Sequence, residues 1–336
     1  MSQSYVFYNG EIVEEEKVSI SIRSKVVNYG LGVFEGIRAY WNEEEEQLYA
    51  FKLVEHYERF LQSAKVANLD VGYTPEELAD YTIELLRKNG FRETTYIRPI
   101  AYKDGKTVGI SLHGHEDDCV VIYLQPMGKY IDKEAFKVKV SSWVRIADNM
   151  LPPRTKATAG YLNSALASFE ATKNGYDEAV LLNRNGFVCE GPGENIFLYK
   201  KGKLMTPPAS DDILEGITRD LVMKLAEEEL GIECVEKSIA RTELYNADEV
   251  FFSGTAMEVA PVVEVDDIKV ADGKPGKSMP RTQKTFCRPN TWQKSKIYGC
   301  PKASLRKINI IRYMSQWIKP LTFLLEKFSD KGFIEK

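Results

Sequence analysis

Residues 153–168 read PRTKATAGYLNSALAS. A Pro-Arg turn delivers Lys156 into a run of Ala, Thr and Gly, and a helix is expected from about Tyr161. Lysine is among the side chains least often buried. Here its neighbours are small enough to pack closely against it and too short to keep it well solvated. Such a setting suits a lysine kept for chemistry.

Outward from this stretch, the chain alternates strands and helices. Near the start, YVFYNGEIV predicts a hairpin about an Asn-Gly turn. LVEHYERFLQSAKVANL places Leu53, Tyr57, Phe60, Leu61 and Ala64 on one helical face. TPEELADYTIELLRKNG carries Thr74 as N-cap, Pro75 in the first turn, Glu77 three residues after the cap and Gly90 at the end. TTYIRPIAY and CVVIYLQPM predict buried strands, and MGKYIDKEAF a polar connector. KVKVSSWVRI predicts a further strand, and DEAVLLNRNGFVCEGPGENIFLYKKGKLMTP three more. TRDLVMKLAEEELGI predicts a helix capped by Thr218 and stopped by Gly231, and ADEVFFSGTAMEVAPVVEV closes the unit. The expected class is α+β in two domains: a small α/β domain over 1–125, a connector over 126–137 and a larger domain over 138–276.

Of the 336 residues, 43% are hydrophobic, enough for two packed domains. No apolar run reaches the roughly 18 residues of a membrane span. The N-terminal stretch lacks a signal-peptide pattern, so a cytoplasmic enzyme is expected. Five scattered cysteines, without a CxxC pair, are expected to be reduced thiols. With three histidines, of which only His113 and His115 are close in sequence, no metal site is expected. Charge is unevenly spread: residues 274–336 hold 15 Lys/Arg against 3 Asp/Glu, leaving 30 against 46 in residues 1–273.

Three features besides the lysine point to an anionic, ring-shaped ligand. Ile217 and Thr218 open a helix, where free amides and the dipole favour an anion. Gly254 to Ala256 form a turn that can present further amides. Glu190 stands at a strand end in EGPGEN. Separately, the first two read more readily as a plain cap and an ordinary turn, and the third equally as a surface loop. Together with Lys156 they are what pyridoxal 5′-phosphate requires: an amine for its aldehyde, an acid for its pyridine nitrogen and a cradle for its phosphate.

YGLGVFEGIRAY, YIRP, TKATAGYLNS, EGPGENIFLYKKGKLMTPP, ILEGITRD and ADEVFFSGTA resemble the class IV (fold-type IV) pyridoxal-phosphate enzymes, and among them the branched-chain amino acid aminotransferases. The resemblance runs from about Tyr5 to Gly276. It implies the two-domain fold-type IV architecture, with the cofactor between the domains. By resemblance Lys156 is the Schiff-base lysine, Tyr161 bonds the cofactor's phenolic oxygen and Glu190 partners the pyridine nitrogen. Arg59, Ile217, Thr218 and Thr255 hold the phosphate. Tyr29, Phe34 and Tyr130 would supply apolar faces, and Arg98 would meet the glutamate side-chain carboxylate. Tyr96 and the amides of Thr255 and Ala256 would hold the α-carboxylate. Ile110 matches a position that reaches a neighbouring subunit's site, so a homodimer or higher homo-oligomer is implied. The expected reaction is transamination between leucine, isoleucine or valine and 2-oxoglutarate. The alternatives are a D-amino-acid aminotransferase, whose Arg-x-His trap is absent from this chain, an aminodeoxychorismate lyase, or a non-catalytic binding protein.

The resemblance stops in the basic segment 277–336. Pro280 falls where the family's closing helix should run, and proline inside a helix costs roughly 3 kcal/mol. Leu305, Ile308, Ile311, Met314 and Trp317 recur at helical spacing in a basic background. A surface-binding extension, a segment docked on the acidic body and a shifted reading frame near 277–287 all fit; the last accounts best for the abrupt change. Neither nucleic acid nor membrane is expected as a partner, the basic segment being the one feature that points toward either.

Overall fold

The computed structural model describes residues 4–128 and 133–276; the basic segment and Tyr130 lie outside them. The first half builds an antiparallel seven-stranded sheet from β1 (Tyr5–Tyr8), β2 (Glu11–Glu14), β3 (Gly32–Phe34), β4 (Ile37–Asn42), β5 (Gln47–Ala50), β6 (Thr95–Lys103) and β7 (Asp118–Pro126). Its order is β2-β1-β7-β6-β4-β5, with β3 also on β6. The Asn-Gly hairpin forms in the expected register, Tyr8 opposite Glu11. Helices α1 (Lys25–Tyr29), α2 (Leu53–Val66) and α3 (Pro75–Asn89) belong to this half. α3 begins with the predicted capping box between Thr74 and Glu77.

Alternation along β6 decides where the chemistry goes. Ile97 and Ala101 are buried against Tyr57, Phe60, Leu78 and Leu85 of α2 and α3. Tyr96, Arg98 and Ile100, at the intervening positions, take the other face. One face of the sheet is therefore core, and the other is free for a site.

The second half forms an eight-stranded mixed sheet from β8 (Phe136–Val144), β9 (Glu178–Leu182), β10 (Asn195–Lys200), β11 (Lys203–Thr206), β12 (Cys234–Glu236), β13 (Glu249–Gly254), β14 (Glu258–Val265) and β15 (Ile268–Lys269). The order is β12-β11-β10-β13-β14-β8-β9, with β15 on β14. Helix α4 (Tyr161–Lys173) starts where the sequence predicted and packs Ala167 and Ala171 on Ala179 and Leu181. Helix α5 (Ile217–Glu228) sets Val222 and Ala226 against Phe197 and Phe251, while α6 (Arg241–Tyr245) is short. The cap of α5 differs from expectation. Gly216 is the N-cap, with no side-chain bond, and Thr218 is buried within the first turn. The fold class is α+β, as read from the sequence. Among the described residues no helix is long and apolar enough to cross a membrane.

Candidate active site

The first half of the fold grips the lysine segment of the second. Val33 bridges to Ala157, and the Phe34 amide donates to the Lys156 carbonyl at 3.0 Å. The Lys156 amide donates to Ser63 Oγ of α2 at 3.2 Å. Thr158 Oγ1 donates to the Gly30 and Gly32 carbonyls. So fixed, Lys156 Nζ donates to the Tyr161 hydroxyl at 2.8 Å and lies over the Phe34 ring at 5.2 Å. The rings of Phe34 and Tyr161 are themselves 4.7 Å apart.

Glu190 follows the β9 hairpin and bridges to Asn195 across the Gly-Pro-Gly turn. It is buried, and burial pushes its carboxyl above the usual range, with Arg145 and the Leu214 amide pulling the other way. Arg145 Nη2 stands 2.7 Å from Oε1. Oε2 accepts from the Leu214 amide at 3.0 Å and from Asn195 Nδ2 at 3.1 Å. Asn195 Nδ2 also donates to the Leu214 carbonyl at 2.8 Å, tying the carboxylate to the segment that opens α5. A Cβ at Gly216 would lie 2.0 Å from Asn195 Oδ1, so packing against Asn195 requires glycine at the α5 cap.

Arg59 reaches the same place from α2. Its Nη1 donates to the Glu215 carbonyl at 2.8 Å, one residue before the α5 cap. Its other side is held by Glu35, a fully buried carboxylate that Arg59 and His56 keep well below the usual range against the cost of burial.

A third cluster lines the free face of the first sheet. Arg98 Nη2 donates to the Tyr96 hydroxyl at 2.8 Å, and the guanidinium lies 4.4 Å from the Phe34 ring centre and 5.1 Å from that of Tyr96. Its Nε is buried without a protein partner. Gly36 sits under Tyr96, where a Cβ would come within 2.1 Å of the hydroxyl. The half-buried turn Thr255–Ala256 joins β13 to β14 and is clasped from across the fold by Arg38, which donates to the Ala256 carbonyl at 3.2 Å and pairs with Glu258.

Lys156, Tyr161, Phe34, Tyr96 and Arg98 are thus gathered by direct contact. Arg59 joins the helix that carries Ile217 and Thr218, and Glu190 is tied to the same helix. Tyr29 instead accepts from the Gly109 amide at 3.4 Å, and Ile110 on that loop is exposed at 75%. Tyr130 lies outside the described residues. The sequence reading passed over Glu35, Arg38, His56, Ser63, Arg145 and Asn195. One signal was present: His56, Arg59 and Ser63 make a polar i, i+3, i+7 stripe on a helix whose apolar stripe already fills the core.

Residues 32–265 match the family model described as amino-transferase class IV. A probable branched-chain-amino-acid aminotransferase of Aquifex aeolicus is 50% identical over 276 residues, 82% of this chain and 88% of that relative. The crystal structure of a branched-chain aminotransferase from Thermoproteus uzoniensis with norvaline superposes with a TM-score of 0.82 at 46% identity, covering 88% of this chain and 97% of that one. That of the branched-chain amino acid aminotransferase from Thermobaculum terrenum in its PLP-form gives 0.81 at 38% identity, covering 87% and 94%. By the extent of the model match and the identity of these relatives, the chain belongs to the class IV amino-transferase family.

Proposed function

We propose that this enzyme uses pyridoxal 5′-phosphate to exchange the amino group between branched-chain L-amino acids and 2-oxoglutarate. The reading further takes it to be a cytoplasmic homodimer whose two domains meet at residues 126–137. The observation that carries it is the lysine–tyrosine pair, Nζ to OH at 2.8 Å, set beside a buried carboxylate and facing a pocket that is aromatic and cationic at once.

The donor set fits the cofactor. It offers an amine with a phenol beside it, a carboxylate paired with arginine, and a guanidinium next to the bare N-terminus of a 12-residue helix. With glycine at the cap and no side-chain cap bond, the first amides of that helix are left for a phosphate oxygen. When bound, pyridoxal phosphate supplies an aldehyde for amine exchange and a ring that withdraws electrons from the substrate Cα. Lys156 would carry a proton to and from the substrate Cα, with Tyr161 OH holding its Nζ in place. Glu190 would act through its charge on the pyridine nitrogen, and Arg145 and the Leu214 amide offset part of the rise that burial imposes on it.

Dual recognition follows from the third cluster. Phe34 and Tyr96 present faces to an aliphatic side chain while partly screening Arg98, and the Arg98 guanidinium remains available to a second carboxylate. Thr255 and Ala256 amides, with Tyr96, would take the α-carboxylate common to both substrates. Ile110, exposed on its loop, is positioned for a partner subunit. The deciding assay runs 2-oxoglutarate against leucine, isoleucine, valine and D-alanine in parallel. The three L-amino acids should be turned over and D-alanine not; turnover of D-alanine alone would overturn the assignment.

A further inference from the structure

Arg59 has five N–H groups, and the fold already uses three. Nε donates to Glu35 Oε1 at 2.7 Å, Nη2 to Oε2 at 2.9 Å and Nη1 to the Glu215 carbonyl at 2.8 Å. One N–H remains on each terminal nitrogen, in a fixed plane beside the α5 cap. The carboxylate that fixes this plane is itself over-determined. It is 0% exposed, accepts two hydrogen bonds from one edge of the guanidinium, and stands 2.8 Å from His56 Nδ1 and 3.3 Å from the Gly36 amide. His56 is 1% exposed, and burial holds its imidazole below the usual value, so it donates as a neutral ring.

A buried carboxylate beside a phosphate-binding arginine looks counterproductive, because it cancels the charge that would attract the phosphate. It makes sense if orientation matters more than net charge. Arginine's fork recognises phosphate by two parallel hydrogen bonds, which demand a defined plane. The helix dipole and free amides supply the remaining attraction. The same face of α2 also fixes the lysine, through Ser63 Oγ and the Lys156 amide. One helix therefore sets the spacing between the phosphate end and the amine end of the site.

We propose that Glu35 and His56 are positioning residues for phosphate recognition, holding Arg59 so that its two free N–H groups face the start of α5. The inference rests on the pyridoxal-phosphate reading above. It is tested on the full chain freed of cofactor, by titrating pyridoxal 5′-phosphate and pyridoxal, which lacks the phosphate, and following visible absorbance. The wild type should bind the phosphorylated compound far more tightly. Glu35→Gln should weaken that binding about ten- to a hundredfold and leave pyridoxal within about threefold, so the preference for phosphate collapses. His56→Ala, which keeps the Arg59–Glu35 pair, should move the same ratio about three- to tenfold, and decides the matter if Glu35→Gln does not melt cooperatively. Equal weakening of both compounds, or an unchanged ratio in a folded variant, would overturn the inference. A stronger preference for phosphate would overturn it too, showing that Glu35 acts only as an opposing charge. A wild type that binds neither compound would instead sink the functional reading itself.

Discussion

Replacing Arg145 by methionine removes the cation that faces the buried Glu190 and leaves most of the side-chain volume in place. The pair stands at 2.7 Å with the two side chains 13% and 5% exposed, so water screens it little. An opposite charge this close lowers a carboxyl by about 1–3 pKa units, or about 1.4–4 kcal/mol between its protonation states. Without it, burial acts against the Leu214 amide, Asn195 Nδ2 and Lys156, and Glu190 climbs further above the ordinary carboxylate value. A larger share of it is then protonated, which would weaken the hold proposed for it on the pyridine nitrogen. Single-turnover decay of the cofactor absorbance with leucine should then slow about ten- to a thousandfold at pH 7 and recover as pH rises, by up to about tenfold per unit. Stability should move the opposite way. A carboxyl raised in the fold binds more protons there than in the unfolded chain, so its contribution falls as pH rises from the unfolded value toward the folded one. The variant's melting deficit should widen as pH rises above the ordinary carboxylate value while its rate recovers. A uniform rate loss with an unshifted acid limb would refute the reasoning.

Arg98→Ala should weaken glutamate about ten- to a hundredfold and leucine much less, measured as kcat/KM, because only glutamate brings a second carboxylate; equal losses would assign Arg98 to the fold or to the shared carboxylate. Gly36→Ala places a methyl 2.1 Å from the Tyr96 hydroxyl and should displace it from Arg98, raising KM for both substrates by about tenfold at an overpacking cost of about 1–3 kcal/mol in a melting experiment. Glu194 is pushed up to about 8 by burial, with Glu178 and Glu190 adding to it, so its contribution to stability falls from pH 4.5 towards 8. Glu194→Gln, neutral throughout, should gain on the wild type by about 1–3 kcal/mol across that window, and a pH-independent difference would contradict the shift.

Local grammar was legible where one element carried its own signals. The Thr74–Glu77 capping box, the Asn9–Gly10 hairpin and the start of α4 needed only neighbours a few residues away. The cap of α5 was misread because a threonine at a helix start is the usual sign, whereas here packing against Asn195 dictates a glycine two residues earlier. Strand β5, four half-buried residues long, was not read; nor were β3 and β4, since Glu35 and Arg38 interrupt the apolar pattern of a buried strand. Those interruptions are the residues that hold Arg59 and the Thr255–Ala256 turn. The site's named residues were reached through family motifs, but their supports were not. Glu35 meets Arg59 across 24 residues, Asn195 meets the Leu214 carbonyl across 19, and Arg38 meets the Ala256 carbonyl across 218. No periodicity carries information over such distances.

The central claim is that Lys156 is the covalent anchor of pyridoxal phosphate in a transaminase. Borohydride reduction of the full-length enzyme, followed by trypsin and mass spectrometry, tests it most directly. The account predicts a phosphopyridoxyl group on Lys156, seen as a missed cleavage that joins residues 155–173 in one peptide. Incubation with leucine before reduction should erase the label, because the amino group then resides on the released cofactor. A label on any other lysine, or one that leucine leaves in place, would contradict the account.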